Sequence, residues 1–303
     1  MDIAKIRNDF PILKTKKMQG KPMVYLDSGA TALKPQCVID AVCDYLTNYS
    51  GNCHRGDYDL SYEVDQAFEG ARKKIAKFIN ARNENEIVFT SGSTDALNLA
   101  VFGYVYSHIQ KGDEILLTVA EHASNILPWF EIEKYTGAKV KYIDLDQEGR
   151  LTLENVKKAV TEKTKFISVA QITNVLGYEA PIKEITKYAH SKGIKVIVDG
   201  AQSVPHLKTD VQDLDVDFLA FSGHKMCGPT GIGVLYGKFD LLQDTSPTRF
   251  GGGSNARFNS CGLVTLKDAP TKFEAGTPNI EGAIGLGAAC DYLSSIGMDK
   301  IHQ

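Results

Sequence analysis

The sequence predicts an α/β fold, a mostly parallel sheet with helices on both faces. Three observations carry this. From residue 85 onward short apolar runs alternate with amphipathic stretches, the pattern of repeated strand–helix units. One run, Phe218-Leu219-Ala220-Phe221, is apolar at every position, as a strand buried on both faces must be. The length of 303 residues and the 43% hydrophobic content supply a sizeable core.

Taken in order, MDIAKIRNDFPILK mixes charge into a short amphipathic pattern and opens an N-terminal segment, residues 1–20, ahead of one large domain over 21–303. It lacks the basic-then-apolar order of an export signal, and no apolar run approaches the roughly 18 residues of a membrane span. EVDQAFEGARKKIAKFINA places Val64, Ala67, Phe68, Ala71, Ile75, Phe78 and Ile79 on one helical face, the stripe of a core-packed helix. Strand and helix then alternate: EIVFT with DALNLAVFGYVYSHI, EILLTV with ILPWFEIEKYTG, KVKYIDL with LENVKKAV, KFISVA with IKEITKYAHSKG, and the strand KVIVD. The last helix, EGAIGLGAACDYLSSIG, runs almost to Gln303. No internal repeat or low-complexity linker interrupts the series.

Composition excludes several functions. Thirty-seven acidic against 34 basic residues leave a net charge of -3 without a basic stripe, which argues against a nucleic-acid partner. Cys37, Cys43, Cys53, Cys227, Cys261 and Cys290 include no C-x-x-C pair, so they form neither a disulfide framework nor a ribbon-type zinc site. Cys43, Cys53 and His54 fit no common zinc spacing either, and no metal is expected. Reduced thiols, a cytoplasmic location and no membrane partner fit best.

The chemistry gathers at strand ends, where open α/β sheets bind ligands. After EIVFT comes SGSTDALNLA: Gly92 permits a tight turn, Ser93 or Thr94 can cap the next helix, and the helix start forms an anion cup, unless it is a plain cap with nothing bound. After EILLTV comes AEHASN, where His122 is either a hydrogen-bonded structural residue or a ring that stacks and relays protons. After KFISVA, Asn174 in QITNVLG either orients a polar group or forms a turn. KVIVD ends in Asp199, a carboxylate that needs a partner at the end of a buried strand, with Gln202 three residues on. Asp199 and Lys225 are separated by room for one crossover and one strand, so both can reach one pocket. Lys225, in FLAFSGHKMCGPTGIG, emerges where an apolar strand ends, and a lysine there has its pKa pushed down toward the nucleophilic amine; a solvated lysine is the plain alternative. The glycines of GPTGIG come in the wrong order for a dinucleotide loop.

A phosphate cup, a stacking ring, a buried carboxylate for a pyridinium nitrogen and a lysine able to form a Schiff base together suit pyridoxal 5'-phosphate.

TSGSTDALNLA, AEHASN, DGAQSVPH, SGHKMCGPTGIG and KFEAGTPN together resemble the class V aminotransferase-fold group. With NCHRGDYDLS they are similar to Suf-type cysteine desulfurases and to selenocysteine lyases, along the whole chain. The resemblance implies the fold type I architecture of pyridoxal-phosphate enzymes, with a seven-stranded sheet. It implies that Lys225 is the Schiff-base lysine, Asp199 pairs the ring nitrogen, Gln202 meets the ring hydroxyl and His122 stacks on the ring. Ser93, Thr94, Ser222 and His224 are expected at the phosphate, and Asn174 beside substrate and ring. Thr277 is expected to reach the phosphate of the neighbouring subunit, which implies a homodimer with shared sites. His54 and Arg55 match a pair near the entrance. The implied activity takes L-cysteine, or selenocysteine, to alanine, with sulfur passed to a scaffold or carrier for iron–sulfur assembly.

One departure matters. Family members continue into a smaller C-terminal domain that supplies an acceptor cysteine and a carboxylate-clamping arginine, and neither motif occurs before Gln303. The expectation is a shortened form, inactive alone, or a cofactor-binding dimer module without turnover. Cys227 reads as a small packing residue rather than a substitute acceptor.

Overall fold

The computed structural model describes residues 2–54 and 56–303. Seven strands form the central sheet: β1 Ile87–Thr90, β2 Glu114–Thr118, β3 Lys139–Ile143, β4 Thr164–Ala170, β5 Lys195–Asp199, β6 Phe218–Ser222 and β7 Gly233–Gly237. Their order is β1-β7-β6-β5-β4-β2-β3. Only β7 runs against the rest, pairing antiparallel with β1 and β6. Every residue of β1, β2, β6 and β7 is buried, which is why these strands read as unbroken apolar runs, whereas β3, at the edge, is mostly exposed.

Alternate side chains feed two separate cores. Leu116, Val196, Val198, Leu219 and Phe221 pack under the Asp59–Phe78, Ile182–Ser191 and Ile280–Ile296 helices. Ile115, Leu117, Ile197, Phe218 and Ala220 pack under the 93–108 and Leu127–Thr136 helices. The stripe expected on the Asp59–Phe78 helix is there: Val64, Phe68, Ala71, Ile75 and, just past its end, Ile79 are buried, with Ala67 and Phe78 at its margin. The helix starts earlier than EVDQ, at Asp59.

Other features were not expected. Residues 17–22 and 255–266 form two small hairpins, and a further helix, Met298–His302, follows the Ile280–Ile296 helix. The 93–108 helix widens into a π segment over Leu99–Val105. There the carbonyl of Gly103 accepts the Ser246 N–H at 2.9 Å, and a Cβ on Gly103 would lie 2.5 Å from the Ser246 carbonyl oxygen, so only glycine admits that chain. Among the described residues no helix is long and apolar enough to cross a membrane.

Register places the site. Ala170 on β4 pairs with Asp199 on β5, and Asp199 with Ala220 on β6, so the carboxyl ends of adjacent parallel strands finish level.

Candidate active site

A cavity of about 810 Å³ opens at those strand ends. Ser93, Thr94, His122, Asn174, Asp199, Gln202, Ser222, His224 and Lys225 all line it, nine of the ten residues expected from sequence at the cofactor.

At the end of β1 the expected cap is corrected. The helix N-cap is Gly92, without a side-chain cap bond, not Ser93 or Thr94. Both hydroxyls are thereby released toward other partners. Ser93 N–H donates to Ser222 Oγ at 2.8 Å and Ser222 Oγ donates to Ser93 Oγ at 3.0 Å, while Thr94 Oγ1 and Ser124 Oγ are 2.7 Å apart. The N–H groups of Thr94 and Asp95 have no intrahelical acceptor. Gly92 faces Gly233 of β7 so closely that a Cβ on Gly233 would sit 2.5 Å from Gly92 Cα.

At the end of β2, His122 is hydrogen-bonded, as the first reading expects. Its Nδ1 accepts the Ser124 N–H at 3.1 Å as the cap of a short turn, and its exposed ring lines the cavity. Asn174 likewise sits in a turn after β4 and lines the cavity.

Asp199, at the end of β5, is 5% exposed, and its Oδ1 accepts the Ala201 N–H at 2.9 Å. Burial pushes its carboxyl above the usual range, with Ala201, Lys225 and His122 pulling the other way. Gln202 Nε2 donates to the Gly29 carbonyl at 2.8 Å, which fixes the amide at the wall. Lys225 follows β6 in a short turn, half-buried; burial lowers its pKa against the attraction of Asp199. His224 is lowered too, by burial, then by Lys225 and Lys34.

Sequence reasoning missed the segment 26–34. It contributes Leu26, Asp27, Gly29 and Ala30 to the wall without regular secondary structure, so no periodicity marks it. Lys34, just before a proline and a helix, was the available signal: its ammonium donates to the carbonyls of Ala32 at 2.5 Å and His224 at 3.1 Å.

Thr277 is the tenth residue and does not line the cavity; its hydroxyl accepts from Asn52 Nδ2 at 3.3 Å. His54 stands in a charged network. Its Nε2 lies 3.2 Å from Glu69 Oε1, and Glu69 and Glu274 both pair with the buried Arg72. Arg55 lies outside the described residues. Cys53, His54 and Asp65 bring ligand-type atoms within 4.8 Å of one another, while Cys43 is exposed and takes no part.

The donor set fits pyridoxal phosphate. Hydroxyls and free N–H groups at a helix start suit a phosphate, a buried carboxylate at the cavity wall suits a protonated ring nitrogen, and a lysine with lowered pKa suits an aldehyde. Among the described residues no cysteine lines the cavity.

Known proteins resemble this chain along its length. Residues 24–303 match the aminotransferase class-V family. A probable cysteine desulfurase of Halalkalibacterium halodurans is 48% identical over 305 residues, covering 100% of this chain and 74% of that protein. The crystal structure of an Escherichia coli cysteine desulfurase superposes with a TM-score of 0.91 at 39% identity, over 99% of this chain and 73% of that one. A more distant structure, SspA in complex with cysteine, gives 0.77 at 26% identity, over 89% of this chain and 73% of that one. The chain belongs to the class-V aminotransferase family and, within it, to the cysteine desulfurases.

Proposed function

We propose that this chain binds pyridoxal 5'-phosphate and L-cysteine and serves a cysteine desulfurase reaction, alanine and a persulfide being the products. The observation that carries it is the convergence of Lys225, Asp199, His122 and the hydroxyls of Ser93, Thr94 and Ser222 on one cavity. When bound, pyridoxal phosphate would supply an electron sink that acidifies the substrate Cα–H and weakens the substrate's Cβ–S bond.

The residues divide that work. Ser93, Thr94, Ser222 and His224 would hold the phosphate, His122 one ring face, Gln202 the ring hydroxyl and Asp199 the ring nitrogen. Lys225 would anchor the cofactor and its amine would take the Cα proton; burial lowers that amine's pKa, against the attraction of Asp199. Asn174 would orient the substrate beside the ring. The acceptor thiol must come from elsewhere than the cavity wall, so residues 1–303 alone should turn over poorly. Thr277 would serve a neighbouring subunit of a homodimer, and the sulfur would pass to a carrier for iron–sulfur assembly in the cytoplasm. Six free cysteines fit that reducing setting.

The test is to add pyridoxal phosphate to the purified protein and reduce with borohydride. One cofactor fixed per chain, with a visible band before reduction and exchange of the L-cysteine Cα proton with solvent, is expected. A protein that stays colourless at saturating cofactor would overturn the reading.

A further inference from the structure

Adjoining His122 is a buried polar cluster, in which Thr118, Glu121, Asn125 and Ser168 are at most 8% exposed. Glu121 is its hub. Its Oε1 accepts from the Thr118 hydroxyl at 2.7 Å, and its Oε2 accepts from Asn125 Nδ2 at 2.8 Å and from the Ala170 N–H at 2.7 Å. Asn125 accepts in turn from Ser168 Oγ at 2.6 Å. One side chain thus joins the end of β2, the turn that carries His122, and the end of β4.

Hydrogen bonding asks for an acid at only one of these contacts. A glutamine could face its oxygen to Asn125 and Ala170 and donate its amide to Thr118 Oγ1, reversing the one bond that Thr118 now donates. The charge costs free energy, because a buried carboxylate without a cation is disfavoured. Glu121 has no ion-pair partner among the described residues, and its charged neighbour is a second buried carboxylate, Asp199. The N–H it grips belongs to Ala170, which is paired in register with Asp199.

We propose that Glu121 is a positioning residue that pins the His122 turn to the end of β4 and places a second negative charge behind Asp199, so that the site favours a cationic, protonated ligand. The inference rests on the pyridoxal-phosphate reading above and deepens it. Burial, with Asp199 adding to it against the pull of Thr118 and Asn125, pushes the Glu121 carboxyl up to about 7, so the second charge is present above neutrality and fades below it. Lys225 and His122 are the other charged or titratable groups acting on Asp199; β2 and β4 give Glu121 only neutral partners, Thr118 and the Ala170 N–H.

The test loads the parent protein, Glu121→Gln and Glu121→Asp with pyridoxal phosphate and follows the visible absorbance of the bound cofactor with pH, alongside melting temperature and cofactor dissociation constant. In Glu121→Gln the midpoint should fall by about one pH unit, because loss of a nearby anion disfavours the protonated form. Melting and cofactor affinity should stay near the parent's. Glu121→Asp, which keeps the charge, should keep the midpoint. Superimposable titrations of parent and Glu121→Gln would overturn the inference, as would equal shifts in both variants. So would a Glu121→Gln chain that cannot fold beside a Glu121→Asp chain that can, since the acid would then be a folding requirement. Failure of the parent itself to take up cofactor would sink the functional reading and this inference together.

Discussion

Lys34 Nζ lies 3.1 Å from the carbonyl oxygen of His224, and the Ala32 N–H and Thr31 hydroxyl bond the same oxygen at 2.9 and 3.1 Å. The irregular 27–34 segment is therefore fastened to the turn that presents Lys225. Burial lowers the pKa of Lys34, yet its hydrogen bonds run to neutral oxygens, the arrangement of a structural ammonium. Lys34→Met, which keeps the apolar stem and removes the donors, should cost about 2 kcal/mol of stability. It should also weaken cofactor binding without abolishing the linkage to Lys225. Calorimetry and cofactor titration measure the two effects; unchanged values for both would show that the staple is idle.

Lys225→Ala should abolish the borohydride-reducible linkage while leaving the fold intact, because the side chain is half-buried at a cavity wall. Intact-mass spectrometry after reduction gives the answer. Cofactor still fixed to the variant would move the assignment to another amine.

Asp199→Asn should retain cofactor but lose exchange of the substrate Cα proton by about a hundredfold or more, since an amide cannot hold a protonated ring nitrogen as a carboxylate does. Its main-chain contact is modest, one bond from the Ala201 N–H, so the loop should survive. Exchange at the parent's rate would show that Asp199 does not face the ring.

What was legible in the sequence is what local pattern encodes. Strands buried on both faces, such as Phe218–Ser222, announce themselves by unbroken apolar composition, and their ends mark the rim where Asp199 and Lys225 meet. The Asp59–Phe78 helix follows from its periodic stripe. The reversed direction of β7 was not legible, because GVLYG reads the same in either sense and only its pairing with β1 and β6 fixes it. The 26–34 wall escaped for a different reason: its place is set by hydrogen bonds to His224, about 190 positions away. Glu121 carries no local signal in AEHASN, because its partners Ala170 and, through Asn125, Ser168 come from another strand.

At the opposite end of the sheet, pH should act through Asp217 and His190. Asp217 is fully buried and accepts from Val196 N–H and His190 Nε2, both at 2.8 Å, with Lys195 at 3.2 Å. Burial opposes its ionisation, but His190, Val196 and Lys195 hold its carboxyl below the usual range, and the same bond to Asp217 raises His190 against burial. A depressed carboxyl stabilises above its unfolded pKa of about 4, and that contribution is lost as pH falls through the folded value. A raised histidine stabilises below its unfolded pKa of about 6.5, and that contribution is lost as pH rises through the folded value. Melting temperature should therefore decline on both sides of a plateau between these limits. Asp217→Asn should cost about 3 kcal/mol and flatten the alkaline decline. An alkaline limb identical to the parent's would assign it to other groups.

The last prediction concerns sulfur. Removal of the substrate sulfur needs a nucleophilic thiolate at the cavity, and the resident cysteines are poorly placed to supply one. Cys227, two residues from Lys225, packs against the core, and burial pushes its thiol up to about 11 despite the opposing pull of Lys34. Burial raises Cys53 to about 12, with Asp65 and Glu274 adding to it, and raises Cys290 as well. Cys37, Cys43 and Cys261 are exposed but lie outside the cavity lining. Residues 1–303 should thus release alanine from L-cysteine at about a hundredth or less of the rate of a longer desulfurase, such as the 48% identical relative, when no thiol is added. Cys227→Ala should change nothing. Alanine quantified by amino-acid analysis, with and without added dithiothreitol, checks both statements. Brisk turnover without added thiol, lost in Cys227→Ala, would make Cys227 the acceptor and overturn the packing assignment.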